Sequence, residues 1–258
     1  MDPILSETDV ASWKRDGFII KDSFADPETL DVLRIAYAET LDAEAAGDRL
    51  LGGITRQVMS PSDAHPAFAD NPLIHRGREI VRQLLNVRDA VRVFDMLIYK
   101  PAGHRHETPW HQDMSYTQMP YAPAGTIPIQ SLVQFWVPLD DVDQENGCMQ
   151  FMPGHHHQPL LPHIVASGDP DDAGRLLAID EPERHLDLSK RVLGILPAGG
   201  VTMHSYGTPH YTGPNRTTDR QRRAYIFNLA PLEAVSELAA SANRTGAMAL
   251  GGSEDVEG

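Results

Sequence analysis

The apolar positions of this chain change their spacing near residue 90. Before that point they recur at helical intervals. Leu30, Leu33 and Tyr37 follow Asp26-Pro27-Glu28, where the acid can cap and the proline can open a first helical turn. Ser6 offers a cap for an earlier helix, so residues 6 to 47 are expected to be helical. Ile80, Leu84 and Leu85 mark a short helix near 72–86. From residue 91 the pattern becomes short apolar runs broken by proline and glycine. Val91–Lys100, Gln130–Val137, Cys148–Met152, Arg191–Leu196, Val201–Ser205 and Arg223–Leu229 are the expected strands, and Asn146-Gly147 is a tight-turn signal. Many short strands separated by turns suggest a mainly β sandwich or barrel with flanking helices. The stretch from Ser236 to Gly258 is small, polar and acidic at its end, as a flexible tail would be.

Composition narrows the class. A chain of 258 residues is long enough for one large domain with a substantial core. The one cysteine, Cys148, excludes an internal disulfide framework and reads as a small core residue in a reducing compartment. No apolar run reaches membrane-spanning length, and Met1-Asp2-Pro3 lacks the basic and apolar regions of a signal peptide, so a cytoplasmic location is expected. The formal charge of −14 argues against nucleic acid or an anionic membrane as partner. The same charge weakens, without excluding, a polyanionic substrate such as a CoA thioester.

Candidate chemistry concentrates in Thr108-Pro109-Trp110-His111-Gln112-Asp113 and in His210-Tyr211-Thr212-Gly213-Pro214-Asn215. On an extended strand His111 and Asp113 point the same way and Gln112 points away. With His210 they form the ligand set of a 2-His-1-carboxylate facial triad, which suits Fe(II) and leaves one octahedral face open. An isolated His-x-Asp is weak, since a second one, His185-Leu186-Asp187, lies in a charged stretch that reads as a solvated loop. His204 is an alternative distal ligand, six residues before His210, but glycine and proline interrupt the chain between them.

Context distinguishes the two motifs. Trp13–Lys21 with Phe24–Glu28, Met96–Pro101, Trp136 with Pro138-Leu139-Asp140, Glu145–Cys148, Met152–His155, His210–Asn215 and Arg222–Tyr225 occur in an order and at spacings that resemble the phytanoyl-CoA dioxygenase family of Fe(II)- and 2-oxoglutarate-dependent oxygenases. The resemblance implies a double-stranded β-helix, the cupin-like jelly roll, as a single oxygenase domain over 1–235 with a helical N-terminal part, followed by the tail 236–258. It implies Fe(II) on His111, Asp113 and His210, with 2-oxoglutarate and O2 as cosubstrates. The far carboxylate of 2-oxoglutarate needs a cation, and arginine meets a carboxylate bidentately. Arg222, expected to begin a strand returning beside His210, is the first choice, with Arg220 and Arg223 as alternatives because the turn carries one extra residue. Thr212, on the face of His210, can donate to the same carboxylate. The resemblance also assigns Met96, Trp136 and Arg56 to the cosubstrate pocket.

The implied activity is hydroxylation or desaturation of an unactivated C–H in a small or mid-sized organic molecule, in natural-product or small-acid metabolism. A carboxylate at Asp113 argues against the halogenases of this lineage, which carry a small residue there. Tyr99, Tyr116 and Tyr121 offer amphipathic faces for such a substrate. His155 is expected at a strand-ending loop, with His156 and His157 exposed. Two other readings stay open: a cupin-type metal enzyme that does not use 2-oxoglutarate, and a non-catalytic relative that kept the fold.

Overall fold

The computed structural model of the chain describes residues 4–44, 50–51, 55–117, 131–169 and 176–237. Local chemistry starts each long helix. Ser6 and Asp9 close a reciprocal capping box on α1 (Glu7–Asp16), each side chain accepting the other's backbone N–H. Asp26 accepts from the Thr29 N–H at the start of α2 (Pro27–Glu44). Two single turns, α3 (Pro61–Ala64) and α4 (Pro66–Ala69), precede α5 (Pro72–Leu85), which Asn71 caps and a left-handed Asn86 ends. The helical expectation over 6–47 is met as two helices separated by a strand, β1 (Phe18–Lys21). Of the expected tail, only residues 236 and 237 are described, in a helical turn over 232–237.

The strands form two antiparallel sheets that face each other as a jelly roll. The larger runs, in hydrogen-bonded order, β1, β11 (Val201–Ser205), β6 (Val133–Pro138), β13 (Arg222–Pro231), β4 (Ala90–Lys100), β3 (Thr55–Met59) and β2 (Leu50–Leu51). The smaller runs β10 (Val192–Gly194), β7 (Met149–Phe151), β12 (His210–Thr212) and β5 (Thr108–His111). A ribbon pairs β8 (His163–Val165) with β9 (Leu177–Ile179). Each strand expected from the pattern occurs, Val201–Ser205 with the expected bounds and the others with shifted ends, Gln130 lying outside the described residues. The expectation had no counterpart for β2, β3, β8 or β9, because runs of two to five residues carry little periodicity.

Side-chain alternation sorts the larger sheet into two faces. On one, Phe135, Tyr225, Phe227, Leu97 and Val58 meet the helices, with the Phe135 and Phe227 rings stacked at 4.8 Å. Helix α5 can lie this close because Gly77 has no side chain: a Cβ there would meet Leu229 at 2.9 Å. On the other face, Phe18, Trp136, Ala224 and Ile226 pack against Met149 and Phe151 of the smaller sheet. That inner face carries the site.

Candidate active site

Strands β5 and β12 pair so that His111 lies opposite His210, with ring centroids 4.1 Å apart. The expectation that His111 and Asp113 share one continuous strand is corrected. The strand stops at His111, and Asp113 opens a 3-10 turn, Asp113–Thr117, in which the Ser115 N–H and hydroxyl both donate to the Gln112 carbonyl. The turn brings the carboxylate back to the imidazoles. Asp113 Oδ1 is 3.6 Å from His111 Nε2 and 3.8 Å from His210 Nε2, and the three candidate ligand atoms lie within 4.8 Å of one another. Gln112 does point away: its Nε2 donates to Gly207 O at 2.7 Å and its Oε1 accepts from the Leu161 N–H.

The imidazoles are oriented for ligation. His111 Nδ1 donates to Pro109 O at 2.8 Å and His210 Nδ1 to Thr208 O at 3.0 Å, so each Nε2 lone pair is free to face Asp113. Burial, then the nearby His111, pushes His210 well below its ordinary value. Burial alone would raise Asp113, but the adjoining imidazoles, His210 first, hold it well below the usual carboxylate range. Two imidazole nitrogens and a carboxylate suit a divalent ion such as iron.

Sequence reasoning undervalued His204. It is fully buried on β11, in the sheet opposite β12, and its Nε2 lies 3.4 Å from Asp113 Oδ2 and 3.0 Å from Gln134 Nε2. Its ring stands 4.4 Å from that of His210. It is outside the three-residue donor group, so it touches the carboxylate instead of replacing His210. The six-residue separation, interrupted by glycine and proline, carried no sign of a contact that crosses between sheets.

A cationic pair, Arg222 and Lys100, meets the strand that carries His210 at Thr212. Arg222 is fully buried, and its Nε, Nη1 and Nη2 have no hydrogen-bond partner. Its guanidinium lies over the Trp136 ring at 5.6 Å, and burial pushes it down to about 10. The other two arginines are committed elsewhere: Arg220 to Asp143 at 2.8 Å and Arg223 to Asp140 at 2.6 Å. Strand β13 does not pair beside His210 as expected; it belongs to the larger sheet, and Arg222 is the cross-strand partner of Lys100 on β4. Lys100 in turn donates to the Thr212 hydroxyl at 3.0 Å, joining the two sheets at this point. Met96 lies on the same inner face, opposite Ile226. A buried guanidinium with three unpartnered nitrogens fits a carboxylate ligand.

Arg56 is not brought to this pocket, and that expectation is corrected. It pairs with Tyr99 on the helix-facing side of the larger sheet, where its guanidinium donates to the Leu41 carbonyl. Tyr99 packs on that same side. Tyr116 does lie by the triad, its ring edge-on to His111 at 6.0 Å, while Tyr121 is outside the described residues. His157 is exposed as expected, but His156 is partly buried against Gly17. His185 and Asp187 are exposed, and Cys148 is a buried free thiol.

The model of the family described as Phytanoyl-CoA dioxygenase (PhyH) matches residues 13–224. Phytanoyl-CoA dioxygenase domain-containing protein 1 of Danio rerio is 22% identical over 276 residues, covering 89% of this chain and 91% of the relative. Among solved structures, EvdO2 from Micromonospora carbonacea var. aurantiaca complexed with 2-oxoglutarate is 28% identical with a TM-score of 0.74, over 88% of this chain and 91% of that one. EctD from S. alaskensis shares the fold, with a TM-score of 0.70 at 20% identity, over 90% of this chain and 79% of that one.

Proposed function

Because the chain belongs to the phytanoyl-CoA dioxygenase family, we propose that it is an Fe(II)- and 2-oxoglutarate-dependent dioxygenase that hydroxylates, or desaturates, an unactivated C–H bond of a small or mid-sized organic substrate. The observation that carries this reading is the unpartnered, fully buried guanidinium of Arg222, whose cross-strand partner Lys100 reaches Thr212 on the strand that carries His210. An enzyme that used the metal alone would leave that charge buried without an occupant, at a cost of several kcal/mol (about 3–5 by analogy with broken buried pairs). His111, Asp113 and His210 would hold the iron, Arg222 and Thr212 the far carboxylate of 2-oxoglutarate, and Trp136 and Met96 the wall of the cosubstrate pocket.

With both bound, the site would supply O2-dependent oxidation: oxidative decarboxylation of 2-oxoglutarate to succinate and carbon dioxide would take up one oxygen atom, and the other would serve the C–H bond. The chain's part is positional. Phe151 and Trp136 keep water from the inner face, and the Nδ1–H bonds of His111 and His210 keep both imidazoles in the ligating tautomer.

Anaerobic visible absorption tests the reading as Fe(II) and then 2-oxoglutarate are added. A weak charge-transfer band that requires both, and is absent in His111→Ala, is the expected result. Metal binding without a band would favour the cupin-type reading, and no metal binding would favour a non-catalytic module. An Asp113→Gly variant that still hydroxylates normally would reject the triad.

A further inference from the structure

Lys100 is assigned no ligand in the reading above, yet it is among the most buried charges in the chain. It is the cross-strand partner of Arg222, so two cations sit side by side on the inner face, and no carboxylate hydrogen-bonds to either among the described residues. Like charges on paired strands repel, and desolvation raises the cost of each. Burial, and next the charge of Arg222, push Lys100 well below its ordinary value, and a carboxylate bound beside Arg222 would offset that charge and favour the ammonium.

The hydrogen bonds of Lys100 constrain Thr212. An ammonium has donors only, whereas a hydroxyl has one proton and two lone pairs. Lys100 Nζ donates to Thr212 Oγ1 at 3.0 Å and to Gly213 O at 2.8 Å, with Thr212 O at 3.5 Å. The Thr212 hydroxyl therefore accepts on the side of Lys100, and the nearby carbonyls already face the same ammonium. Its proton is left to point elsewhere.

We propose that Lys100 is a positioning residue for the far carboxylate of 2-oxoglutarate, turning the Thr212 proton toward the carboxylate that Arg222 binds. This rests on the 2-oxoglutarate reading of the pocket. A hydroxyl on a freely turning rotor would choose among several acceptors; one whose lone pair is occupied by a buried ammonium is committed as a donor. Lys100 also leaves the pocket with an excess of positive charge, so an anion is favoured there over a neutral group of the same shape.

The test separates the far carboxylate from the rest of the ligand. Anaerobic Fe(II)-loaded protein is titrated with 2-oxoglutarate and with 2-oxopentanoate, which keeps the chelating end and replaces the far carboxylate with a methyl group. The readout is the ratio of the two dissociation constants, followed by the visible band. Wild type should prefer 2-oxoglutarate strongly. Lys100→Met should lower that preference about tenfold to a hundredfold, the range of a hydrogen bond to a charged group, with 2-oxopentanoate affinity unchanged. Thr212→Val, which keeps the side-chain volume, should lose a similar factor, and the double variant should lose little more than either. Thr212→Val carries the test by itself if Lys100→Met does not fold.

If Lys100→Met weakens both acids equally, Lys100 merely supports the Thr212-Gly213 turn and the proposal is overturned. It is overturned as well if Thr212→Val keeps the wild-type preference. Failure of the wild type to bind 2-oxoglutarate, or to prefer it, would instead reject the cosubstrate reading and the proposal with it.

Discussion

Replacing Arg222 with methionine should make the ligand-free protein more stable and insensitive to 2-oxoglutarate. The guanidinium is fully buried with three unpartnered nitrogens, and burial pushes it to about 10 from an ordinary value of about 12.5. At about 1.4 kcal/mol per pH unit, confining the charge costs roughly 3 kcal/mol at neutral pH. The sign follows from linkage: a base whose folded value is depressed destabilises the fold at every pH below that value. Methionine fills a similar volume and can rest against Trp136, so about 1–2 kcal/mol should remain after the lost contact with the ring is subtracted. For a chain of this size that is a rise in Tm of about 2–8 °C. In the metal-loaded wild type, 2-oxoglutarate at a hundred times its Kd should add about 2.7 kcal/mol, and in Arg222→Met close to nothing. Differential scanning calorimetry with and without 2-oxoglutarate reads both effects. A ligand-free variant less stable than wild type would refute the account of an unpaired buried charge. Equal stabilisation of both proteins by 2-oxoglutarate would refute Arg222 as the anchor.

Three further outcomes follow from particular contacts. His204→Ala removes the imidazole beside Asp113 Oδ2 and should weaken Fe(II) binding about tenfold to a hundredfold by equilibrium dialysis; unchanged affinity would make the contact incidental. Gly147→Ala should cost about 1–3 kcal/mol in urea unfolding, because Gly147 has φ +86° and a Cβ there collides with the Gly213 carbonyl of the turn after Thr212. Burial pushes His163 down to about 4, and its Nε2 accepts from the Gln112 N–H. The unfolded chain takes up that proton near pH 6.5 and the folded chain only near 4, so stability present above about 6.5 is lost as the pH falls through this window. The slope should be shallower in His163→Gln but not zero, since burial also pushes His156 to about 4.

The helices and most strands were legible because their signals are local. Ser6, Asp26 and the leucines of α2 act within a few residues of one another, and capping chemistry and periodicity report such neighbours directly. The face taken by a residue on a short strand was harder to read. Arg56 and Lys100 are both basic and both lie near strand ends, yet pairing sends one to the helices and the other to the interior. Among the three clustered arginines, sequence could not say which one lacked a partner. That depended on Asp140 and Asp143, about 80 residues away, which engage Arg223 and Arg220.

By itself, the sequence determined the family, the candidate donor set His111, Asp113 and His210, and the order of elements along the chain, since each of these is carried by residue type and spacing. Tertiary structure decided how the donors converge: strand β5 ends at His111, a 3-10 turn returns Asp113, and β12 sets His210 opposite. It also decided what surrounds them. His204 reaches Asp113 from the facing sheet, and Lys100 meets Thr212 across 112 residues of sequence. The physical reason is that the jelly roll brings together strands remote in the chain, so the partners that orient a ligand leave no pattern where the ligand itself is written.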